Sequence, residues 1–205
     1  RARCWSWLRP RRLRMHGEPA PTGASARSTA FHRVWSTVVA TLLDHQAGQP
    51  HALQSVLIAH PPLGAVVISR ISAIMMDDDA LEMLQRHAHE TLQQLTDEVC
   101  AEGGVDPAEV YEIVVAGNQT MIQIALGVDP EPLSMAPFTV VARRMPEATA
   151  ADFGVRVHPR APAVMFPALG AYVGPAIVAG LLATGIRTDR RVRLLLDVGT
   201  NAESV

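Results

Sequence analysis

The 205-residue sequence predicts an α/β fold in which a mixed sheet is flanked by helices. Two observations carry this prediction. Segments rich in β-branched and aliphatic residues occur on both sides of a long segment whose apolar residues recur at helical spacing. Shorter helical segments then separate the later strands. The element order is therefore hairpin, helix, strand, helix, helix and strand, and the helices must cover the sheet.

The first elements are a hairpin and a long helix. Residues 37–44 and 53–59 are rich in Val, Leu, Thr and Ile, and a turn-rich loop separates them. Three consecutive aspartates then precede a helix predicted over residues 80–100, at the end where the helix dipole favours negative charge. His87 and His89 fall on the polar side of this helix and are predicted to face solvent.

The later elements alternate between strands and short helices. Gly127 and Gly185 each follow a helical segment as stop signals. The predicted elements are a strand at 110–116, a short helix at 121–126, a helix over 173–184 and a final strand at 192–196. The segment 143–163, rich in Ala, Pro and Arg, gives no firm prediction of secondary structure.

Composition excludes several classes of function. The chain contains no lysine, so it has neither a Walker lysine nor a Schiff-base lysine. Cys4 and Cys100 are too few and too distant for a zinc or iron–sulfur site, and such sparse cysteine suits a reducing cytoplasm. No apolar run approaches the roughly 18 residues that a membrane span needs. We interpret the use of arginine in place of lysine throughout the chain as coding bias and not as a binding property, and we expect no nucleic-acid partner.

Residues 1–30 are predicted to be a disordered leader or a product of a wrong reading frame. They carry charge of mainly one sign, few periodic apolar positions and a Pro/Ala/Ser-rich exit. Limited proteolysis is expected to cut this segment first.

A candidate phosphate site follows the last predicted strand. Asp197, Gly199, Thr200 and Asn201 come directly after the apolar run. A strand that ends in a carboxylate and a glycine turn is a place where phosphates and their Mg²⁺ are held. The same residue types also follow strands for conformational reasons alone, so the motif is weak by itself.

Five segments in order resemble the actin-like ATPase domain of the reductive activators of corrinoid proteins. They are residues 64–71, 114–121 with 126–133, 136–138, 178–185 and 197–201. The resemblance extends from about Thr37 to Glu203. It implies a ribonuclease H-like, actin-like lobe in a truncated chain, with residues 31–190 as the first lobe and 191–205 as the start of the second.

The same resemblance implies a function. It implies part of a cytoplasmic, ATP-dependent activator that returns an inactive Co(II) corrinoid protein to Co(I). The implied cofactors are ATP and Mg²⁺, with a [2Fe–2S] cluster only in full-length relatives. The implied partner is a corrinoid protein or a corrinoid-dependent methyltransferase component. Asp197 would act through Mg²⁺ or water, and Gly199, Thr200 and Asn201 would form the second phosphate loop.

The first phosphate loop departs from the family pattern. Relatives have an Asp-x-Gly-Thr-Thr turn where this chain has bulky Val34 and Trp35, so only Ser36 and Thr37 keep hydroxyl groups that could reach phosphate. We therefore expect the chain alone to bind ATP with a dissociation constant of about 1 mM or worse. We also expect it to hold no iron–sulfur cluster, because it has only two cysteines.

Asn118 and Thr120 allow two interpretations. They follow a strand and begin a helix, so they could face the cleft where ligands bind in open α/β sheets. They could equally be an N-cap residue and a first-turn residue.

Two other functions also fit the superfamily. A small-molecule kinase would need a catalytic aspartate in the cleft, and a degenerate actin-like module would bind a protein partner without nucleotide. The altered first loop favours the second of these.

Overall fold

The structure is a computed structural model, and it describes ten strands and four α-helices. The described backbone comprises residues 14–15, 18–19, 27–34, 37–44, 49–57, 67–141, 147–186, 190–197 and 203–204. The strands are β1 (Arg14–Met15), β2 (Glu18–Pro19), β3 (Arg27–Val34), β4 (Thr37–Asp44), β5 (Gln49–Leu57), β6 (Val110–Ala116), β7 (Ala148–Thr149), β8 (Pro162–Met165), β9 (Leu196–Asp197) and β10 (Glu203–Ser204). The helices are α1 (Val67–Met76), α2 (Ala80–Gly103), α3 (Gln119–Ala125) and α4 (Pro175–Thr184).

Six of these strands form one mixed sheet in the order β5-β4-β3-β6-β8-β7. Strands β3, β6 and β8 are parallel to one another, whereas β4, β5 and β7 pair antiparallel with their neighbours. The carboxyl ends of the parallel strands, at Val34, Ala116 and Met165, therefore meet at one side of the sheet, which we call the carboxyl edge. The mixed α/β class with flanking helices is confirmed.

The core lies between the sheet and α2. Leu95 and Val99 of α2 have no exposed surface and belong to one apolar cluster with Leu42, Ile113 and Phe153. Full burial of each of these side chains contributes about 1.5–3 kcal/mol. The helix ends where Gly104 takes a left-handed conformation (φ 61°) and its N–H is shared between the carbonyls of Ala101 and Cys100.

The most central strand was not predicted. Residues 27–30, assigned to a disordered leader, are the first half of β3, which pairs with both β4 and β6. The alternation expected of a half-buried strand is hidden because Ser28 and Thr29 are polar and yet have no exposed surface. The two-residue strands β1 and β2 pair with each other, and the other residues before Arg27 lie outside the described part.

The structure differs from the sequence predictions in three further places. Helix α1 was not predicted. His89 is partly buried and not simply solvated, because its ring Nε2 lies 2.7 Å from the carbonyl oxygen of Ala125 on α3. Strand β9 begins at Leu196, four residues after the predicted start at residue 192. Val192 and Leu194 are 101% and 68% exposed, so burial of their side chains does not hold this segment in a strand. The hairpin, α2, β6, α3 and α4 are confirmed within a few residues.

Among the helices that the structure describes, none combines the length and the apolar character needed to cross a membrane.

Candidate functional site

The carboxyl edge contains the point where the chain changes direction across the sheet. From β3 the chain turns back into β4 on one side, whereas from β6 it crosses to β8 on the other side. The crevice at such a switch point is where open α/β sheets bind their ligands. Functional side chains are therefore expected at the ends of β3 and β6.

Asn118 and Thr120 lie at this switch point. Asn118 has extended backbone (φ −65°, ψ 143°), and its Oδ1 accepts a hydrogen bond from the Thr120 N–H at 2.9 Å. Asn118 is thus the N-cap of α3, and Thr120 is a buried first-turn residue with 3% of its surface exposed. The capping interpretation is confirmed, and it uses only the oxygen of the Asn118 amide. The amide nitrogen is left for another partner.

Thr37 reaches the same level of the sheet from the other strand. It pairs with Val34 across the β3–β4 turn, and the last β3–β6 pair is His32 with Ala116. Val34 lies two residues after His32, and Asn118 lies two residues after Ala116. Thr37, which pairs with Val34, therefore lies at about the same level of the sheet as Asn118, beside the ends of the neighbouring strands β3 and β6. The structure therefore brings Thr37, Asn118 and Thr120 to one edge.

The structure does not describe the side chains of the other predicted site residues. Ser36, Gly199, Thr200 and Asn201 lie outside the described residues. Asp197 ends β9, whose backbone pairs with Glu203 in a separate two-stranded sheet, and its side chain lies outside the described part.

Gly174 is a residue at this edge that sequence analysis missed. It precedes α4, and a Cβ atom there would lie 3.2 Å from the Gln119 backbone nitrogen and 3.4 Å from the Gly117 carbonyl oxygen. Glycine therefore permits the start of α4 to approach the turn after β6. A glycine immediately before a proline at a helix start was the available signal.

Three buried polar side chains near this edge were also missed. Gln119 and Gln123 of α3 are 1% and 0% exposed, and neither amide atom of either side chain has a hydrogen bond to any described residue. Arg70 of α1 is 2% exposed, and its Nη1 donates to the Met121 sulfur at 2.6 Å, while its Nε finds no acceptor in the described part of the chain. Desolvation lowers the pKa of Arg70. The available signal was an arginine inside an otherwise apolar helical segment.

A small cavity lies beside Arg70. It has a volume of about 80 Å³ and is lined by residues of the sheet and of α1, α2 and α3. Val115, Ala116 and Gly117 line it where β6 ends, so it lies close to the carboxyl edge.

A metal site is not formed by the described side chains alone. Among them, no three His, Cys, Asp or Glu residues are grouped so that they could hold a metal ion. Cys100 is buried in the core, and desolvation raises the pKa of its thiol to about 11, so it is no ready ligand or nucleophile.

Comparisons with known proteins assign the chain to a family. Residues 35–189 match the family described as the RACo middle region. The corrinoid activation enzyme RamQ of Eubacterium limosum is 30% identical over 174 residues, which are 85% of this chain and 29% of RamQ. The solved structure of a reductive activator for corrinoid, iron-sulfur protein matches with a TM-score of 0.85 and 29% identity, over 91% of this chain and 30% of that one.

The chain spans 29–30% of the length of these two relatives, so it corresponds to one part of each. The family match begins at residue 35 and ends at residue 189, so it includes the elements from β4 to α4. The chain belongs to the RACo middle-region family and has the actin-like fold of the corrinoid activators that it resembles.

Proposed function

We propose that this chain is part of an ATP-dependent reductive activator that returns Co(II) in a corrinoid protein to Co(I). The observation that carries the proposal is the match of sequence and fold to two proteins whose names state corrinoid activation. Because the chain spans less than a third of either relative, the activity belongs to a larger assembly of domains.

The chemistry explains why such an activator would use ATP. Co(I) lies at a potential that ordinary electron donors reach poorly, so the transfer needs an input of free energy. Bound ATP with Mg²⁺ would supply that free energy by favouring one arrangement of a two-lobed protein over another. The electrons would come from a [2Fe–2S] cluster in another part of the full-length protein, and the acceptor would be a corrinoid protein or a methyltransferase component.

The described residues fit a phosphate group better than they fit a metal ion. The Thr37 hydroxyl and the Asn118 amide nitrogen are hydrogen-bond donors at neighbouring strand ends, and donors are what phosphate oxygens require. Thr120 keeps the helix start in place through its N–H bond to Asn118. Magnesium would need Asp197, and the second phosphate loop would be Gly199, Thr200 and Asn201, so these roles remain part of the proposal.

A segment exchange tests the function. Residues 35–189 would replace the matching segment of RamQ, and reduction of a Co(II) corrinoid protein would be followed by visible absorption with and without ATP. We expect ATP-dependent reduction by the hybrid. A hybrid that folds, keeps its cluster and reduces no cobalt would contradict the proposal.

A single substitution in the same hybrid tests the site. Asn118→Asp keeps an oxygen for the cap and replaces the N–H donor by a negative charge, which repels phosphate. We expect the ATP-dependent rate to fall by about tenfold or more, since a hydrogen bond to a charged group contributes about 1.5–3 kcal/mol. Gln94→Asp, an exposed change on α2, is the matched control and should leave the rate unchanged.

The unmodified 205-residue chain should bind ATP only weakly, because it offers at most part of the site. Calorimetric titration should give a dissociation constant of about 1 mM or worse. Micromolar affinity that survives Asp197→Ala would show that the phosphate loops have been assigned to the wrong residues.

A further inference from the structure

We propose that the cavity beside Arg70 is a binding site for a small monocarboxylate, with Arg70 as the residue that receives the carboxylate. The inference is independent of nucleotide binding. It rests on a buried cation that has no counter-charge among the described residues, on a cavity beside it, and on the chemistry of the cavity walls.

Arg70 is an unusual side chain for the interior of a protein. It is 2% exposed, and within the described part of the chain it forms no ion pair. Among the described residues, its one hydrogen bond goes to the sulfur of Met121, which is a weak acceptor, and its Nε has no acceptor. A buried charge without a partner is costly, so the arrangement favours any ligand that brings an anion.

The cavity has room for such a ligand. Its volume of about 80 Å³ is several times the roughly 10–15 Å³ that one water molecule requires. Its walls are mostly apolar and include Phe31 and Val38 from the sheet and Leu84 and Leu92 from α2.

The polar groups at the cavity other than Arg70 are already engaged or exposed. The Thr91 hydroxyl donates to the carbonyl of His87 at 2.8 Å. The His87 ring is exposed at the surface, where Nδ1 lies 3.4 Å from a carboxylate oxygen of Glu90. Arg70 therefore provides the one buried charge among the described residues of the lining.

One cation and apolar walls select the ligand class. A carboxylate matches the single positive charge and the forked geometry of a guanidinium, which binds its two oxygens together. A short alkyl chain then suits the apolar walls. Phosphate would bring more negative charge and more oxygens than one guanidinium can satisfy, and a neutral ligand would leave the charge of Arg70 unpaired.

Titration of the 205-residue chain with sodium butyrate at pH 7 tests the proposal, in the absence of nucleotide. We expect saturable binding by calorimetry, and binding of butyramide, the neutral amide of the same shape, at least about tenfold weaker. Inorganic phosphate at equal ionic strength should bind more weakly than butyrate.

Two variants connect the binding to Arg70. Arg70→Met removes the charge at similar length and should weaken butyrate binding by about tenfold or more. Arg86→Met, at an exposed position of α2, is the matched control and should bind as the unmodified chain does. Unchanged binding by Arg70→Met, absence of saturable butyrate binding, or tighter binding of phosphate would each overturn the proposal.

A spectroscopic measurement on the unmodified chain covers the case in which Arg70→Met does not fold. The Nε–H of Arg70, which has no acceptor, should shift in a proton–nitrogen correlation spectrum as butyrate is added, and butyramide should not shift it. A signal that stays in place at saturating butyrate would overturn the assignment of Arg70 as the receiving group.

Discussion

The helix α2 and the helix pair α1 and α3 differ in whether their polar side chains have hydrogen-bond partners. On α2, the Oε1 of the partly buried Gln93 accepts the backbone N–H of Arg156 at 2.6 Å, and the buried Thr96 donates to the carbonyl of Leu92 at 2.8 Å. On α1 and α3, Arg70, Gln119 and Gln123 are buried with donors or acceptors unpaired. No side chain of α2 in the described structure leaves a buried polar atom unpaired.

This difference distinguishes the helix that stabilises the fold from the helices whose buried polar groups lack partners. Helix α2 covers the main core and contributes stability, because its apolar side is buried and its polar groups are bonded. Helices α1 and α3 stand at the carboxyl edge, where unpaired buried polar groups cost free energy that the rest of the fold must offset. A ligand that supplied hydrogen-bond partners to these groups would remove part of this cost.

The largest expected effect is the loss of core packing under α2. Leu95→Ala removes a side chain with no exposed surface and leaves a cavity, so we expect the free energy of unfolding to fall by about 3–4 kcal/mol in urea titration. Leu182→Ala on α4, where the side chain belongs to a residue 52% exposed, is the control and should cost less than about 1 kcal/mol. Similar losses at the two positions would mean that α2 is not the main packing element.

The part of the fold that could be read from the sequence is the part that follows simple periodicity. The apolar positions of α2 recur at helical spacing up to Gly103, and β6 is an uninterrupted β-rich run, so both were placed almost to the residue. Strand β3 was missed because Ser28 and Thr29 are buried polar residues, and burial by neighbouring strands is not encoded in the local pattern.

The candidate site was predictable only where one residue carries a local signal. Asn118 follows a strand and begins a helix, so its cap could be inferred. Arg70 and Gln123 are separated by 53 positions in the chain, and nothing local shows that each is buried without a partner. Gly174 is required by the approach of α4 to Gln119, a contact that the fold alone creates.

A smaller effect should appear as a pH dependence at Glu112 of β6, which shares its sheet side with Val114 and not with the main core. Burial raises the pKa of Glu112 from 4.5 to about 7. Between these values the folded state binds the proton more strongly than the unfolded state, so stability is lost as pH rises from about 4.5 to 7.

Glu112→Gln tests this expectation because the amide stays neutral at every pH. Relative to the unmodified chain, the variant should gain stability as pH rises through this window, reaching on the order of 2 kcal/mol above pH 7. Urea titrations at pH 5 and pH 8 measure the difference. A constant difference between the two proteins would show that Glu112 ionises normally in the folded state.

The two histidines of α2 provide the next test. His89 is bonded to the Ala125 carbonyl at 2.7 Å, whereas His87 is exposed, with its Nδ1 3.4 Å from a carboxylate oxygen of Glu90. We expect His89→Ala to lower the free energy of unfolding by about 1–2 kcal/mol, and His87→Ala to change it by less than about 0.5 kcal/mol. Equal effects would place His89 in solvent, as its position on the helix first indicated.

The smallest effect is the most direct test of the contrast between the helices, since one substitution is expected to have opposite signs in the two regions. Gln123→Met on α3 replaces an unpaired buried amide by an apolar side chain of similar length, so the free energy of unfolding should rise by about 1 kcal/mol.

Gln93→Met on α2 should instead lower the free energy of unfolding by about 1 kcal/mol, because it removes the acceptor of the Arg156 N–H and the donor that bonds Asp97 at 2.7 Å. Urea midpoints at a constant m-value measure both changes. Destabilisation by Gln123→Met would show that the Gln123 amide has a partner in solution. Helix α3 would then resemble α2 in pairing this buried amide, and the contrast between the two regions would fail.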